Sequence, residues 1–163
     1  MAFDTYLQLD GIQGESTDQK HKNWIDIFSF SAGISQQGAG SIGSSGQRVA
    51  GKADFHDFTV TKRVDKSTPY LNKFCALGKH IPKGVIEICT TTGNKEVLLK
   101  YTVEHVVVSA VNIGGGHGQE VPVETVSFQF GKIKWEYNQL DPKTGAKQGN
   151  TTAEHDLLQN TTA

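Results

Sequence analysis

Apolar and polar residues alternate along most of this chain with the two-residue period that is typical of β-strands. Six segments carry the pattern and predict strands over residues 2–9, 24–32, 53–64, 85–91, 95–113 and 120–137. In the longest of them, one face is predicted to carry Val97, Leu99, Tyr101, Val103, His105, Val107 and Val111. The pattern therefore predicts a mainly β protein.

Two of the predicted strands, 95–113 and 120–137, are much longer than the usual strand of about five to six residues. Strands of this length bend from one sheet into another, as they do when a sheet closes on itself. The apolar phase of the second segment also changes at Gly131, which predicts a β-bulge there. We therefore predict a closed two-sheet β-barrel in a single domain that spans residues 1–163.

One segment, residues 68–78, has a helical pattern instead. Ser67 offers a hydroxyl for the N-cap, and Pro69 stands near the first helical position, where no N–H is needed. Gly78 suits a left-handed C-cap. The apolar residues between them lie at helical spacing and are Leu71, Phe74 and Cys75. We predict one short helix that flanks the barrel and turns these side chains towards it.

Residues 33–51 follow neither pattern. This segment of nineteen residues contains six glycines and four serines, and Arg48 is its one charged residue. Connections of that length inside a compact domain are generally either functional or disordered. Residues 38–43 match Gly-x-Gly-x-x-Gly, but no helix follows to receive a pyrophosphate, so we expect no dinucleotide site.

Charge and composition exclude several classes of protein. The chain has 16 basic and 17 acidic residues, so a nucleic-acid partner is not expected. A local excess of lysine and arginine over residues 62–83 favours a solvated face or half of a charge-complementary subunit contact. The densest apolar cluster, residues 106–108, is far too short to span a bilayer. The first ten residues lack a secretory pattern, which predicts synthesis in the cytoplasm.

The sequence offers no recognisable catalytic or metal-binding motif. The six histidines do not stand at metal-ligand spacing, and neither His-Glu-x-x-His nor Cys-x-x-Cys occurs. A Gly-x-Ser-x-Gly nucleophile motif is also missing. Cys75 and Cys89 are expected to be reduced and buried. We therefore predict no enzyme activity, no cofactor and no metal.

Several predicted strands are apolar on both faces, as in residues 24–32, where Phe28 and Phe30 oppose Ile25 and Ile27. One short helix cannot cover so much outer surface, whereas a neighbouring subunit can. The residues alone thus predict a self-assembling β domain with a long loop. A monomeric β-barrel that binds or carries a ligand is the alternative.

Four stretches of the chain carry recognisable motifs. They are Gly14-Glu15-Ser16-x-Asp18 with His21 and residues 24–27, residues 58–71, residues 128–133 with Tyr137, and Asp156-Leu157-x-x-Asn160. The most distinctive is residues 58–71, with the motif residues Phe58, Thr59, Lys62, Asp65, Lys66, Ser67, Thr68, Pro69 and Leu71. Together these stretches resemble the haemolysin-coregulated protein family, whose members are inner-tube subunits of bacterial type VI secretion systems. One departure is His155, where the family pattern leads us to expect an aromatic residue.

The resemblance implies a β-barrel subunit that forms hexameric rings, which stack into a hollow tube. It also implies that sheath and spike components surround and tip the tube, and that effector proteins travel with it. Such a tube is exported to the extracellular space or into target cells without a signal peptide. The role is structural, with no enzyme activity.

Two sets of residues are then candidates for contacts in the tube. Ser29 and Ser31 share a strand face that we expect to line the lumen, although a polar patch on the outer ring surface is the alternative. Phe28 and Phe30 alternate with them and are expected to point into the barrel interior. The long loop is expected to contact the next ring. Its candidate residues are Gly38, Gly40, Gly43, Gly46 and Arg48.

Overall fold

The computed structural model describes residues 2–38, 50–91, 93–159 and 161–162, and within them it has twelve strands and one helix. The helix, α1, spans Thr68–Leu77. The first six strands are β1 (Phe3–Leu9), β2 (Ile25–Ile27), β3 (Ser29–Ser31), β4 (Ile34–Gly38), β5 (Ala50–Phe55) and β6 (Phe58–Arg63). The remainder are β7 (His80–Thr90), β8 (Val97–Gly114), β9 (Val123–Gln129), β10 (Lys132–Leu140), β11 (Lys147–Asp156) and β12 (Thr161–Thr162).

Ten of the strands belong to one antiparallel sheet, and β4 and β5 form a separate hairpin. The order along the sheet is β12-β11-β10-β8-β7-β1-β2, and β9, β6 and β3 join it in turn from β8. The predicted mainly β fold with one short helix is confirmed. This strand order has two ends, at β12 and β2, so the closed barrel stays a prediction. Among the described residues, no helix is long and apolar enough to cross a membrane.

The long strand β8 joins the two parts of the sheet. Its first half lies between β7 and β10, and its second half pairs with β9. At the transition, His105 has a left-handed backbone with φ 54°, which shifts the alternation by one residue. Val103 is buried before this point, but Val106 and Val108 are buried after it. The predicted single face that joins Val103, His105 and Val107 is therefore wrong.

The predicted strand 120–137 is in fact two strands, β9 and β10, that meet near Gly131. The Gly131 amide donates to the carbonyl of Glu104 at 2.9 Å, and its own carbonyl accepts from the Leu157 amide at 2.8 Å. A Cβ at Gly131 would lie 3.1 Å from the Cβ of His105, so the close approach of the two segments favours glycine. The predicted interruption of the strand pattern at Gly131 is therefore in the right place, but it is a boundary between two strands and not a β-bulge.

Helix α1 begins and ends where the sequence predicts, except that Ser67 does not cap it. The Ser67 hydroxyl instead donates to the Asp65 carboxylate, and the Ser67 backbone is helical, whereas a capping residue usually has an extended backbone. Gly78 has φ 60° and closes the C-terminus by donating to the Cys75 carbonyl. Leu71 is fully buried, as is most of Phe74, which confirms the predicted inner face.

The core lies between α1 and the inward faces of the sheet. Its fully buried members include Leu7, Ile25, Phe58, Val60, Leu71, Ile81, Ile86, Val103, Val106, Val126 and Phe128. Phe58 stacks on Phe128 with ring centroids 5.3 Å apart. Large side chains therefore fill the space enclosed by β6, β9 and their neighbours.

Candidate functional site: a hydroxyl-bearing sheet face

Ser29 and Ser31 lie side by side on the exposed face of β3, and the structure extends their surface over three more strands. Antiparallel partners project to the same side of a sheet. Ser29 pairs with Thr61 and Ser31 pairs with Thr59. The same kind of pairing continues from β6 to β9 and from β9 to β8. The resulting surface comprises Ser29, Ser31, Thr59, Thr61, Thr125, Ser127, Ala110 and Asn112. We call these eight residues the hydroxyl face.

The hydroxyl face is polar and uncharged. Ser29, Ser31 and Asn112 are exposed, and the other members are half-buried. The Thr59 and Ser127 hydroxyl oxygens are 2.9 Å apart and share a hydrogen bond. Hydroxyl groups donate and accept hydrogen bonds without a fixed charge, so this surface can bind water or a polypeptide weakly and reversibly.

Different side chains border the two ends of the hydroxyl face. At one end, the Arg63 guanidinium lies 5.1 Å from the ring centroid of Phe28, which is exposed. At the other end, the Ser109 hydroxyl donates to the Asp57 carboxylate at 2.6 Å. Phe28 separates β2 from β3 and was predicted to point inward with Phe30. It is 53% exposed because the strand is interrupted at that residue.

Sequence analysis identified two residues of this face and missed most of the others. Thr59 was noted only as part of a motif, and Thr61, Thr125 and Ser127 were not singled out. A signal was present, since three of the four strands carry two hydroxyl residues separated by one position. The three pairs are Ser29/Ser31, Thr59/Thr61 and Thr125/Ser127.

The motif residue Lys62 points the other way, into the core, and is fully buried. Its ammonium group donates to Glu124 and to the Arg63 carbonyl, and it lies 3.0 Å from the Asp65 carboxylate. The Thr68 hydroxyl donates to the same Glu124 oxygen at 2.7 Å. The motif thus ties β6, β9 and the start of α1 together, whereas its members Lys66 and Pro69 are exposed.

A second buried network surrounds His21, in the segment between β1 and β2. Its Nδ1 lies 2.7 Å from the Asp18 carboxylate and its Nε2 lies 2.7 Å from that of Glu87. The ring stacks on Tyr6 with centroids 4.2 Å apart and meets the Trp24 ring edge-on. Hydrogen bonds from Lys95 and then from His21 lower the pKa of Asp18 to about 2. The network holds the segment against β1 and β7.

Cys89 belongs to the same region, and its Sγ is 3.9 Å from Nε2 of His21. The order Cys89, His21, Asp18 resembles that of a nucleophile, a base and an orienting carboxylate. However, Glu87 occupies the Nε2 atom that a base would use. Burial raises the pKa of the Cys89 thiol to about 12, so it is not an activated nucleophile. Cys75 and Cys89 are both free thiols, but only Cys89 is buried as predicted, whereas Cys75 is half-buried.

The candidate loop residues fall mostly outside the described residues. Gly38 ends β4 and pairs with Ala50, while Gly40, Gly43, Gly46 and Arg48 lie outside the described ranges. Both ends of the predicted loop 33–51 are in fact paired in the β4–β5 hairpin. Alternation was not evident there because Ser35 and Gln36 stand beside the one apolar residue of β4, Ile34.

His155, the departure from the family pattern, takes the place of an aromatic ring. It lies on β11 and stacks on Phe55 of β5, with centroids 5.2 Å apart and planes 9° apart. Phe55 in turn meets the Phe130 ring edge-on. The imidazole thus packs the base of the hairpin against the C-terminal part of the sheet.

Comparison with known proteins identifies the family. Residues 6–137 match the family model described as "Type VI secretion system effector, Hcp". The chain is 37% identical to protein hcp1 of Pseudomonas aeruginosa strain PAO1. The aligned region is 150 residues long and covers 91% of each chain.

Solved structures agree with this match. A structure described as a type six secretion system protein superposes with a TM-score of 0.93 at 34% identity, over 99% of this chain and 100% of the other. Hcp1 from Salmonella typhimurium superposes with a TM-score of 0.80 at 31% identity, over 99% of this chain and 100% of the Salmonella chain. The chain therefore belongs to the Hcp family of type VI secretion system proteins.

Proposed function

We propose that this chain is a tube subunit that forms hexameric rings, and that the rings stack into an exported hollow tube. Effector proteins are carried inside it, and sheath and spike components of the apparatus surround and tip it. The observation that carries the proposal is the hydroxyl face: a broad, uncharged, hydrogen-bonding sheet surface on a member of this family. Such a surface suits a wet channel wall.

The strand pairings support a closed barrel as the body of the subunit. Strands β2 and β3 are separated only by Phe28, whose amide donates to the Thr61 carbonyl at 2.8 Å. If residues 25–31 act as one bent strand, the pairing runs from β1 through this strand to β6, β9, β8 and β7 and returns to β1. The core side chains then fill the barrel interior, and the hydroxyl face lies on its outer wall.

The filled interior argues against the alternative of a ligand-binding barrel. Phe58, Val60 and Phe128 are fully buried in the space where such a ligand would bind. Large apolar side chains instead remain exposed on the outside, as expected of a protein that covers them with further copies of itself. These include Phe3, Ile34, Leu77, Ile113 and Leu158.

Assembly and cargo binding can be tested separately. Light scattering and negative-stain electron microscopy of the purified chain should show hexameric rings; a monodisperse monomer at micromolar concentration would contradict the proposal.

The cargo role is tested with Ser31→Gln and Thr61→Gln, which place a larger amide on the hydroxyl face. We expect both variants to keep the ring and to lose several-fold of the effector protein that copurifies with it, measured by mass spectrometry. Thr152→Gln, at an exposed position on β11, is the matched control and should retain cargo. If rings collapse in the first two variants while cargo is kept, the hydroxyl face is a subunit interface.

A further inference from the structure

His21, Glu87 and Cys89 bring a nitrogen, an oxygen and a sulfur atom together on the side of the sheet that faces away from the core. The three atoms lie within 4.8 Å of one another. His21 Nε2 is 2.7 Å from Glu87 Oε2 and 3.9 Å from Cys89 Sγ. Glu87 and Cys89 are two residues apart on β7, so both side chains project to the same face.

The orientation of the imidazole is fixed from its other side. The Asp18 carboxylate accepts from Nδ1–H, which leaves Nε2 directed at Glu87 and Cys89. Tyr6 covers one face of the ring, and Trp24 restricts its edge. A carboxylate that accepts from the distal nitrogen is the usual partner of a metal-binding histidine, because it holds the ring and increases its basicity.

The surrounding charges favour a cation. Three carboxylates, from Asp4, Asp18 and Glu87, are balanced by only two ammonium groups. Lys95 lies 2.9 Å from both Asp4 and Asp18, and Lys100 lies 3.4 Å from Glu87. Once the proton between His21 and Glu87 is released, the three carboxylates and two ammonium groups leave one net negative charge beside the histidine.

We propose that His21, Glu87 and Cys89 bind a divalent transition-metal ion of the zinc class. Zinc accepts imidazole, carboxylate and thiolate ligands, and it binds them in a tetrahedral site. Solvent supplies the fourth ligand. The ion would connect the segment between β1 and β2 to strand β7 with bonds stronger than the present hydrogen bonds.

Modest movements complete this site. Zinc bonds of about 2.0–2.3 Å place tetrahedral ligand atoms roughly 3.3–3.6 Å apart. The Nε2–Oε2 pair must therefore separate by about half an ångström, and the sulfur must approach. The Glu87 side chain is 13% exposed and its ion-pair partner Lys100 is 35% exposed, so the carboxylate has room to move towards solvent together with the Lys100 ammonium group. On binding, the ion replaces the proton shared by His21 and Glu87 and the thiol proton of Cys89, and both protons leave to solvent.

Cobalt(II) is the appropriate probe, because a bound thiolate gives it an intense charge-transfer absorption. We expect titration of the untagged full-length chain with cobalt chloride to develop this band to saturation at one ion per chain. Zinc chloride should then displace the cobalt and remove the band. The band should be absent in Cys89→Ser and unchanged in the matched control Cys75→Ser. Failure of the wild-type chain to develop the band, or its loss in Cys75→Ser alone, would overturn the proposal.

Two further variants keep the test decisive if Cys89→Ser does not fold, which circular dichroism without metal will show. Asp18→Asn should retain the band but weaken cobalt affinity about 10–100-fold, as expected for the partner of a ligating histidine. Glu87→Gln should also weaken cobalt affinity, but the thiolate charge-transfer band should still develop. Unchanged affinity in both variants would contradict the site.

Discussion

Lys62 places a full positive charge in the protein interior, and its neighbours determine what that charge does for stability. It is compensated by Glu124, which is equally buried, and by Asp65 at 3.0 Å. A second oxygen of Glu124 has no hydrogen-bond partner among the described residues. Removing one member of such a pair leaves a buried charge uncompensated, whereas replacing both with apolar residues removes the desolvation penalty.

We therefore expect Lys62→Met to lower the free energy of unfolding by about 3–5 kcal/mol. The double variant Lys62→Met/Glu124→Leu should recover most or all of this loss. Chemical denaturation at fixed protein concentration measures both. Lys66→Met, at an exposed position of the same motif, is the control and should change stability by no more than about 0.5 kcal/mol. A loss in Lys62→Met no larger than in this control would show that the pair is not coupled.

Gly14 is required by the close approach of two backbone segments. Its amide donates to the Asn23 carbonyl at 2.9 Å, and a Cβ there would overlap the Trp24 carbonyl and lie 2.6 Å from the Ile25 Cα. We expect Gly14→Ala to lower the free energy of unfolding by about 1–3 kcal/mol, because the backbone must move to accept the methyl group. Gly116→Ala, which meets no atom within 4 Å, should be nearly neutral in the same denaturation experiment. If both variants lose the same free energy of unfolding, the backbone around Gly14 adjusts freely to the added methyl group.

Helix α1 is held to the sheet through one face, and the opposite face is exposed. Leu71 is fully buried, whereas Leu77 is 66% exposed. The first turn is further connected to β9 through the hydrogen bond from Thr68 to Glu124. Packing therefore accounts for most of the stability of this short helix, as is usual for helices of about ten residues.

Truncation on the two faces tests this packing. Leu71→Ala should lower the free energy of unfolding by about 2–5 kcal/mol, through lost burial and the cavity left behind. Leu77→Ala should cost about 0.5 kcal/mol or less. Thermal or chemical unfolding of the two variants measures the difference. If the Leu71 variant is as stable as wild type, that face of α1 is not part of the core.

For the whole molecule, the proposed tube needs two kinds of contact, within a ring and between rings. The segment between β4 and β5 is proposed to make the second kind, because it joins a hairpin and carries almost no charge to keep it solvated. Deleting residues 40–46 should leave hexameric rings intact by light scattering. The same deletion should abolish stacked tubes in electron micrographs and stop secretion into the medium. Tubes that persist unchanged would make the segment a mere spacer.

Local information in the sequence was enough for the fold class, the helix and most strands. Strong alternation identified most of β1, β6 and the long β8, and the caps of α1 follow from Pro69 and Gly78. Strand β11 was missed because residues 147–156 are almost entirely polar and show no alternation. The start of β7 was missed because Pro82 and Gly84 disfavour strands locally. Both lie within the bounds of β7, and Gly84 pairs with Leu9 of β1 and Val103 of β8.

The remaining features depend on contacts that no local pattern encodes. The phase of β8 changes because His105 adopts a left-handed backbone opposite Gly131. The hydroxyl face exists only because register brings four strands together.

Lys62 meets Glu124 across 62 residues, and His21 meets Glu87 and Cys89 across 66 and 68. Residue type and period determine which segments become strands, since these depend on near neighbours. Which side chains come together is decided by strand pairing in three dimensions, because it joins residues that are far apart in the chain.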